Sequence, residues 1–393
     1  MPHRIVVLGA GYAGTYSAGY LARHLHPGDV EITVVNAEPD FVERLRLHQL
    51  AAGQDLRPRP LTGMFSGTGV RLRIGRVTAV DAERRTVTLG DGSALTYDTL
   101  LYALGSTVAD HGVPGVAEHA LHVTGRAAAL TLRARLNELG TGGSVLVVGG
   151  NLTAIETATE IAESHPDLRV TLATSGELGG WLGPKARPHL LHAFARLGIT
   201  IHEHSTIERV EPGAAITAGG GVLTCDATVW AAGFAVHPIA AASGLEVTPD
   251  GRITVDRQMR SVSHPGVYAA GDSAFVIGEN GRPLPMSCAS AGFTGMQATA
   301  AIVGDLTGRK ISKTSLVYVG NHISLGRNDA IFQFVDGEVR ARSGAFQGRL
   351  AARVKSAVLR GAVWSISHPT FGRPGHRYRL AATHQRSADV VTA

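Results

Sequence analysis

Short runs of β-branched and aliphatic residues alternate along most of this chain with longer stretches rich in Ala and Leu. Buried parallel strands read as unbroken apolar runs, and their crossover helices show a wider period, so the alternation predicts βαβ units. Residues 5–8, 31–35, 145–148 and 267–270 are runs of this kind. Two of them lead into glycine turns, near residues 9 and 149, and this duplication is the main internal repeat. Between the turns, residues 70–80 and 85–89 read as short strands around Asp91-Gly92, a meander rather than a helix. Beyond residue 320 the character changes. Residues 331–335 and 338–342, joined by Asp336-Gly337, predict a hairpin. Residues 348–362 have helical spacing with a basic face, and the Arg/His/Gly/Pro-rich end from Gly372 predicts a mobile tail. The class predicted is α/β with two Rossmann-type units.

Composition narrows this picture. The chain has 393 residues, enough for two to three domains, and 44% are hydrophobic. No stretch approaches ~18 consecutive apolar residues, so no transmembrane helix is expected. Met-Pro-His-Arg runs straight into the first strand, which is not the layout of a signal peptide. Cys225 and Cys288 lie far apart and form no CxxC, so neither a disulfide framework nor a metal site is expected, and a cytoplasmic location is the default. The net charge of +5 is uneven: from residue 310 onward there are 13 Lys/Arg against 4 Asp/Glu. That basic end is either a solvated surface or a peripheral membrane contact. No nucleic-acid motif accompanies it.

Residues 5–14 read IVVLGAGYAG. Gly9 permits a tight turn, Gly11 lets backbone approach a pyrophosphate, and Gly14 lets the following helix pack on the strand. Tyr12 and Ala13 complete the turn. The helix start then offers free N–H groups and a positive dipole end to phosphate. An acidic residue usually ends the next strand to hold a ribose hydroxyl; here Asn36 stands there, followed by Ala37 and Glu38. Asn36 can hydrogen-bond a hydroxyl, and Glu38 is either its helper or surface charge.

Residues 264–272 read HPGVYAAGD, ending in Gly271-Asp272. This segment resembles the second FAD signature of the pyridine-nucleotide-dependent flavoproteins. Residues 97–105, with Ala103 and Gly105, and 226–233, ending in Gly233, are similar to the connecting strands of that family. The segments FVERLRLHQLAAG at 41–53 and ALGSTVADHGVPGVAEHA at 103–120 are similar to type II NADH dehydrogenases. The resemblance covers residues 4–310. It implies an FAD domain (1–108 and 236–312), an inserted NAD(P)H domain (109–235) and a small C-terminal α+β region (313–393). It assigns Arg46 and Val77, with the residues of the first turn and Asp272, to FAD. It assigns Gly149, Asn151, Glu156 and Gly233 to NAD(P)H. Electrons would pass from NAD(P)H through FAD to a quinone or another small conjugated acceptor.

The sequence also departs from that family. The second turn reads Gly149-Gly150-Asn151-Leu152-Thr153-Ala154, with Asn where Gly is expected. Asn tolerates left-handed backbone, but its side chain competes for phosphate space, so the turn either binds NAD(P)H or belongs to a domain that has lost its ligand. Where the resembled type II NADH dehydrogenases carry an Ala-Gln pair, this sequence has Cys288-Ala289. Candidates for chemistry by resemblance are His48, Gln49, Ser287 and Cys288. His48 would serve as acid or base, or simply pack beneath the flavin. Cys288 would lie at a helix start, where its pKa can fall, or be a small buried residue. Residues 324–327, ending in Arg327, would close over the far face of the flavin. Residues 350–366 form an amphipathic helix that lies either on a membrane or on its own domain. Two alternatives remain open: a tailoring flavoenzyme with little use for nicotinamide, and a flavin-bound redox sensor or partner-binding protein.

Overall fold

A computed structural model describes residues 1–336, 340–371 and 377–381. Two five-stranded parallel sheets carry the fold. The first has the order 267–269, 99–102, 3–8, 30–36, 70–74. The second has the order 120–121, 227–230, 144–148, 169–173, 200–202. In each, the strand leading into the glycine turn is central, and its apolar side chains are buried on both faces. Each fully buried Leu or Ile there contributes about 2 kcal/mol of transfer free energy.

The repeat extends further than the glycine turns. A three-stranded antiparallel meander precedes the strand that flanks the central one, 99–102 in the first sheet and 227–230 in the second: 77–81, 86–89, 94–96 in the first half and 207–211, 214–217, 222–224 in the second. The run expected as one strand over 70–80 therefore divides. Residues 70–74 join the parallel sheet and 77–81 open the meander, with Gly75-Arg76 at the break. Residues 106–108 pair antiparallel with 234–236, and this ribbon joins the two halves.

The helices that matter below are α1 (Tyr12–His24), α2 (Leu47–Ala51), α3 (Leu152–Ser164), α4 (Cys288–Thr307) and α5 (Arg349–Ser367). Helices α1 and α4 meet through small residues: a Cβ on Gly295 would lie 3.4 Å from the Ala13 backbone. After α4, strands Gly320–Ser324, Ala330–Val335 and Ala341–Gln347 form an antiparallel sheet, and α5 follows. The second hairpin strand thus runs over 341–347 rather than 338–342, and residues 337–339 of the expected hairpin lie outside the described residues. The tail expected to be mobile also lies outside them, except for 377–381. That piece is docked: Tyr378 bridges to Leu25, Arg379 pairs with Asp29 at 2.7 Å, and Leu380 is buried. Among the described residues no helix is long and apolar enough to cross a membrane.

Candidate functional site

The first turn is shaped by contacts that only glycine allows. Gly9 has φ +92°, and a Cβ there would lie 2.4 Å from the Ala103 carbonyl oxygen. A Cβ on Gly14 would lie 1.9 Å from the Gly9 carbonyl oxygen. At Gly11 nothing stands within 4 Å of where a Cβ would be, and no side chain caps α1. The helix start is therefore an uncovered cradle with unpaired N–H groups, which fits a pyrophosphate. Asn36 works differently from its expected ribose role. Its Oδ1 accepts from Ala10 N–H at 2.8 Å and its Nδ2 donates to the Glu38 carbonyl at 2.8 Å. Asn36 thus pins the turn, while Ala37 and Glu38 are exposed beside it.

Asp272 is held ready on the opposite side. Ser106 Oγ donates to Asp272 Oδ2 at 2.6 Å, and Arg44 donates to the Ser106 carbonyl at 2.8 Å. Gly271, at φ +72°, donates its N–H to Thr294 Oγ1 at 2.9 Å. Gly105 has φ +69°, and a Cβ there would lie 3.4 Å from the Arg44 guanidinium. Val77 is buried at the start of the meander. Arg44, Ser106 and Thr294 escape sequence reasoning. Arg44 lies inside the 41–53 segment, but nothing in its spacing ties it to residue 106.

The second turn repeats the first in detail. Gly149 would place a Cβ 2.4 Å from the Ala231 carbonyl oxygen, as Gly9 does against Ala103. Asn151, expected to need left-handed tolerance, is instead extended (φ −88°, ψ −179°) and is the N-cap of α3. Its Oδ1 accepts from Ala154 N–H at 3.0 Å. One of the N–H groups that the first turn leaves open is therefore satisfied internally here. Gly233 lies beside His111 at the far end of the ribbon.

Between the two turns lies a buried polar cluster. Glu156, on α3, accepts from Ser324 N–H at 2.9 Å and from Lys355 Nζ on α5. Lys355 also donates to the His322 carbonyl at 3.2 Å. Glu156 Oε2 stands 4.0 Å from His48 Nδ1. Burial alone would raise the Glu156 pKa, but the Lys355 charge, the neighbouring His48 and the hydrogen bonds from Lys355 and Ser324 together outweigh it and hold the carboxyl below its ordinary value. Burial pushes His48 down to about 4, Glu156 resists this, and Lys355 adds to it. His322 falls to about 4 for the same reasons, burial and then Lys355. Both imidazoles are neutral at physiological pH. His48 Nε2 is buried with no hydrogen-bond partner among the described residues, and a buried ring nitrogen in that position is suited to a ligand atom. Lys355 has only a faint signal in the sequence. It sits at the centre of the inward stripe Ala351, Lys355, Val363, Ile366, and a lysine inside an apolar stripe is the one sign of it.

Two expected chemical roles need correction. The Cys288 thiol is not activated: burial and then Asp272 push it up to about 12, and these outweigh the helix start. Ser287 spends its hydroxyl as the N-cap of α4, accepting from Ser290 N–H at 3.1 Å. Cys225 is buried beside Thr228, and both cysteines are free thiols. Gln49 accepts from Arg46 Nε at 2.7 Å, and both line a cavity beside α2, with Arg46 also close enough to the first turn to act on Tyr12. Arg327 reaches the end of α3, with its N–H donating to Glu163 at 2.6 Å, and lines that same cavity. The residues that converge are Asp272 and Glu156, both close enough to act on Cys288, with Arg44 and His48 beside them. No cluster suited to a metal ion occurs among the described residues.

The pyridine nucleotide-disulphide oxidoreductase family model matches residues 3–301. An NADH dehydrogenase-like protein of Mycobacterium tuberculosis is 30% identical over 352 residues, covering 84% of this chain and 87% of that one. A type II NADH:quinone oxidoreductase of Staphylococcus aureus is 24% identical over 383 residues, covering 88% and 93%. Among solved structures, the sulfide:quinone oxidoreductase of Aquifex aeolicus superposes with a TM-score of 0.80 at 19% identity, over 99% of this chain and 95% of that one.

Proposed function

Because the chain belongs to the pyridine nucleotide-disulphide oxidoreductase family, whose members use FAD and NAD(P)H, we propose that it passes electrons from NAD(P)H through FAD to a quinone or another small conjugated acceptor. In the net reaction, NAD(P)H and one proton would reduce the acceptor by two electrons to its dihydro form and leave NAD(P)+. FAD, when bound, supplies the redox chemistry, and the protein supplies position and electrostatics.

The observation that carries the reading is the buried cluster of His48, Glu156 and Lys355 between an open glycine turn and a second, capped one. Gly9, Gly11 and Gly14 would admit the FAD pyrophosphate, and Asp272, oriented by Ser106 and Arg44, would accept from a ribitol hydroxyl. Gly149 and the start of α3 would take NAD(P)H. His48, neutral and with a free Nε2, would hold or pass one proton there. Ionised Glu156, kept charged by Lys355, would fix the orientation of that ring. Steady-state oxidation of NADH and NADPH with a panel of quinones tests the reading. FAD-loaded protein that turns over with none of them would overturn it.

A second reading, a tailoring flavoenzyme with little use for nicotinamide, is favoured by one observation. Asn151 satisfies Ala154 N–H, which a pyrophosphate would otherwise use. Peripheral membrane contact is supported by α5, where Leu350 and Val358 are exposed among Arg349, Arg353 and Arg360. Sedimentation with anionic vesicles checks it, and protein that stays in the supernatant would remove it.

A further inference from the structure

A cavity of about 490 Å³ lies between the α2 segment and α5, a size that suits a small molecule. Arg46, Arg59, Arg327 and Arg360 line it, and Glu43 is the one carboxylate in its wall. Arg46 and Arg59 share that carboxylate, at 3.5 and 2.7 Å. Arg327 lies 3.9 Å from Glu163, which is outside the lining, and 3.5 Å from Glu160, a fully buried carboxyl whose burial favours its protonated form. Arg360 is exposed and has no carboxylate partner among the described residues. The cavity therefore presents more positive charge than its own wall neutralises. Trp364, 49% exposed, offers a flat ring beside these groups. Gln49 also lines the cavity and is the chain neighbour of His48, so one helix serves both the cavity and the buried polar cluster.

We propose that this cavity receives the acidic group of the electron acceptor, which is then a conjugated ring bearing a carboxylate, sulfonate or phosphate. The inference rests on the reading that the protein reduces a small conjugated acceptor. A guanidinium fork makes paired, charge-assisted hydrogen bonds to such groups. A neutral quinone offers only carbonyl oxygens and leaves the guanidinium charges unmatched. The acidic group of the acceptor lies toward Arg360 and Arg59, and its ring lies on the α2 side, toward Gln49 and its neighbour His48.

The probes are a naphthoquinone sulfonate and the unsubstituted naphthoquinone. Their binding to the oxidised FAD-loaded protein is measured by calorimetry at low and high salt. Reoxidation of dithionite-reduced protein by each probe is then followed without oxygen. The sulfonate is expected to bind about tenfold tighter, one charge-assisted contact's worth, and to lose much of that advantage at high salt. It also reoxidises the flavin at the lower concentration. Arg360→Gln removes most of the preference, while Arg353→Gln, on the same helix but outside the cavity, keeps it. Equal affinity for the two probes overturns the proposal. So does a preference that Arg360→Gln leaves intact, or a sulfonate that binds tightly without reoxidising the flavin. Dithionite replaces the nicotinamide donor throughout, so a failure of NAD(P)H to reduce the flavin counts against the reading above and leaves this test standing.

Discussion

The helices that follow the two glycine turns start from the same backbone shape and are secured in opposite ways. Helix α1 carries Ala13, Gly14, Thr15, Ser17 and Ala18 on its buried side and packs against α4 at backbone distance. Its hold is close contact between small uncharged groups. Helix α3 buries Glu160, keeps Glu156 mostly out of solvent, and is gripped from the C-terminal region by Lys355 and Arg327. To an apolar face of Ala154, Ile155, Ala158 and Ile161 it thus adds an electrostatic hold that α1 lacks. Close packing cannot change by small steps, because interiors are already dense. A buried ion pair responds to pH and to the loss of either partner. The first half is thus built to keep a ligand fixed, and the second to be sensitive to charge.

The largest expected effect attacks the charged side. Lys355→Met leaves the Glu156 carboxylate buried without its cation and should cost about 3–5 kcal/mol by denaturant unfolding. Without the ammonium, the largest influence that lowers the Glu156 pKa is gone, and that pKa rises from its present lowered value. The double variant Lys355→Met/Glu156→Leu should recover most of the loss. Additive losses in that cycle would deny the pair its role.

The pH dependence comes next. His48 binds its proton less tightly folded (about 4) than unfolded (6.5), so the unfolded chain takes up more protons between those values. Stability contributed by neutral His48 is complete above 6.5 and is lost as pH falls toward 4, on the order of 3 kcal/mol in all. His322 acts in the same direction. His48→Phe should flatten the acid limb of the unfolding curve, and an unchanged limb would remove His48 from the account.

A close-packing test follows. Gly14→Ala drives a methyl group into the Gly9 carbonyl and should cost about 1–3 kcal/mol and lower the FAD content of the purified protein. Smallest is the cap. Asn151→Ala should cost about 1 kcal/mol, and Asn151→Gly only a few tenths, because glycine tolerates the cap position. Asn151→Gly should also tighten NAD(P)H by freeing the Ala154 N–H, which titration calorimetry reads directly.

Much of the first turn is legible in the sequence because its glycines answer backbone demands. Gly9 and Gly14 are where a Cβ meets a carbonyl oxygen, and the same logic locates Gly149. Asp272 is legible through its motif. Its orienting groups are not, since Ser106 is 166 residues away and the contact arises only when strands 99–102 and 267–269 pair in the first sheet. Asn151 stands out as a departure, but its conformation does not follow from its type, because a cap and a left-handed turn accept the same residue. Lys355 belongs to a helix whose charged residues look like one solvated face. Only the packing of α5 shows that this lysine points inward. The pKa of Cys288 follows from burial and a neighbouring carboxylate, neither of which is visible in the residues around it.

In the proposed reaction the second turn, despite its capped helix, would deliver a nicotinamide to a flavin held by the first. Anaerobic stopped-flow absorbance tests it most directly, following the oxidised flavin band at about 450 nm after mixing with NADH or NADPH. The account predicts rapid bleaching with at least one of the two, faster still in Asn151→Gly. A FAD-loaded protein that neither donor bleaches, in wild type or in that variant, would contradict it.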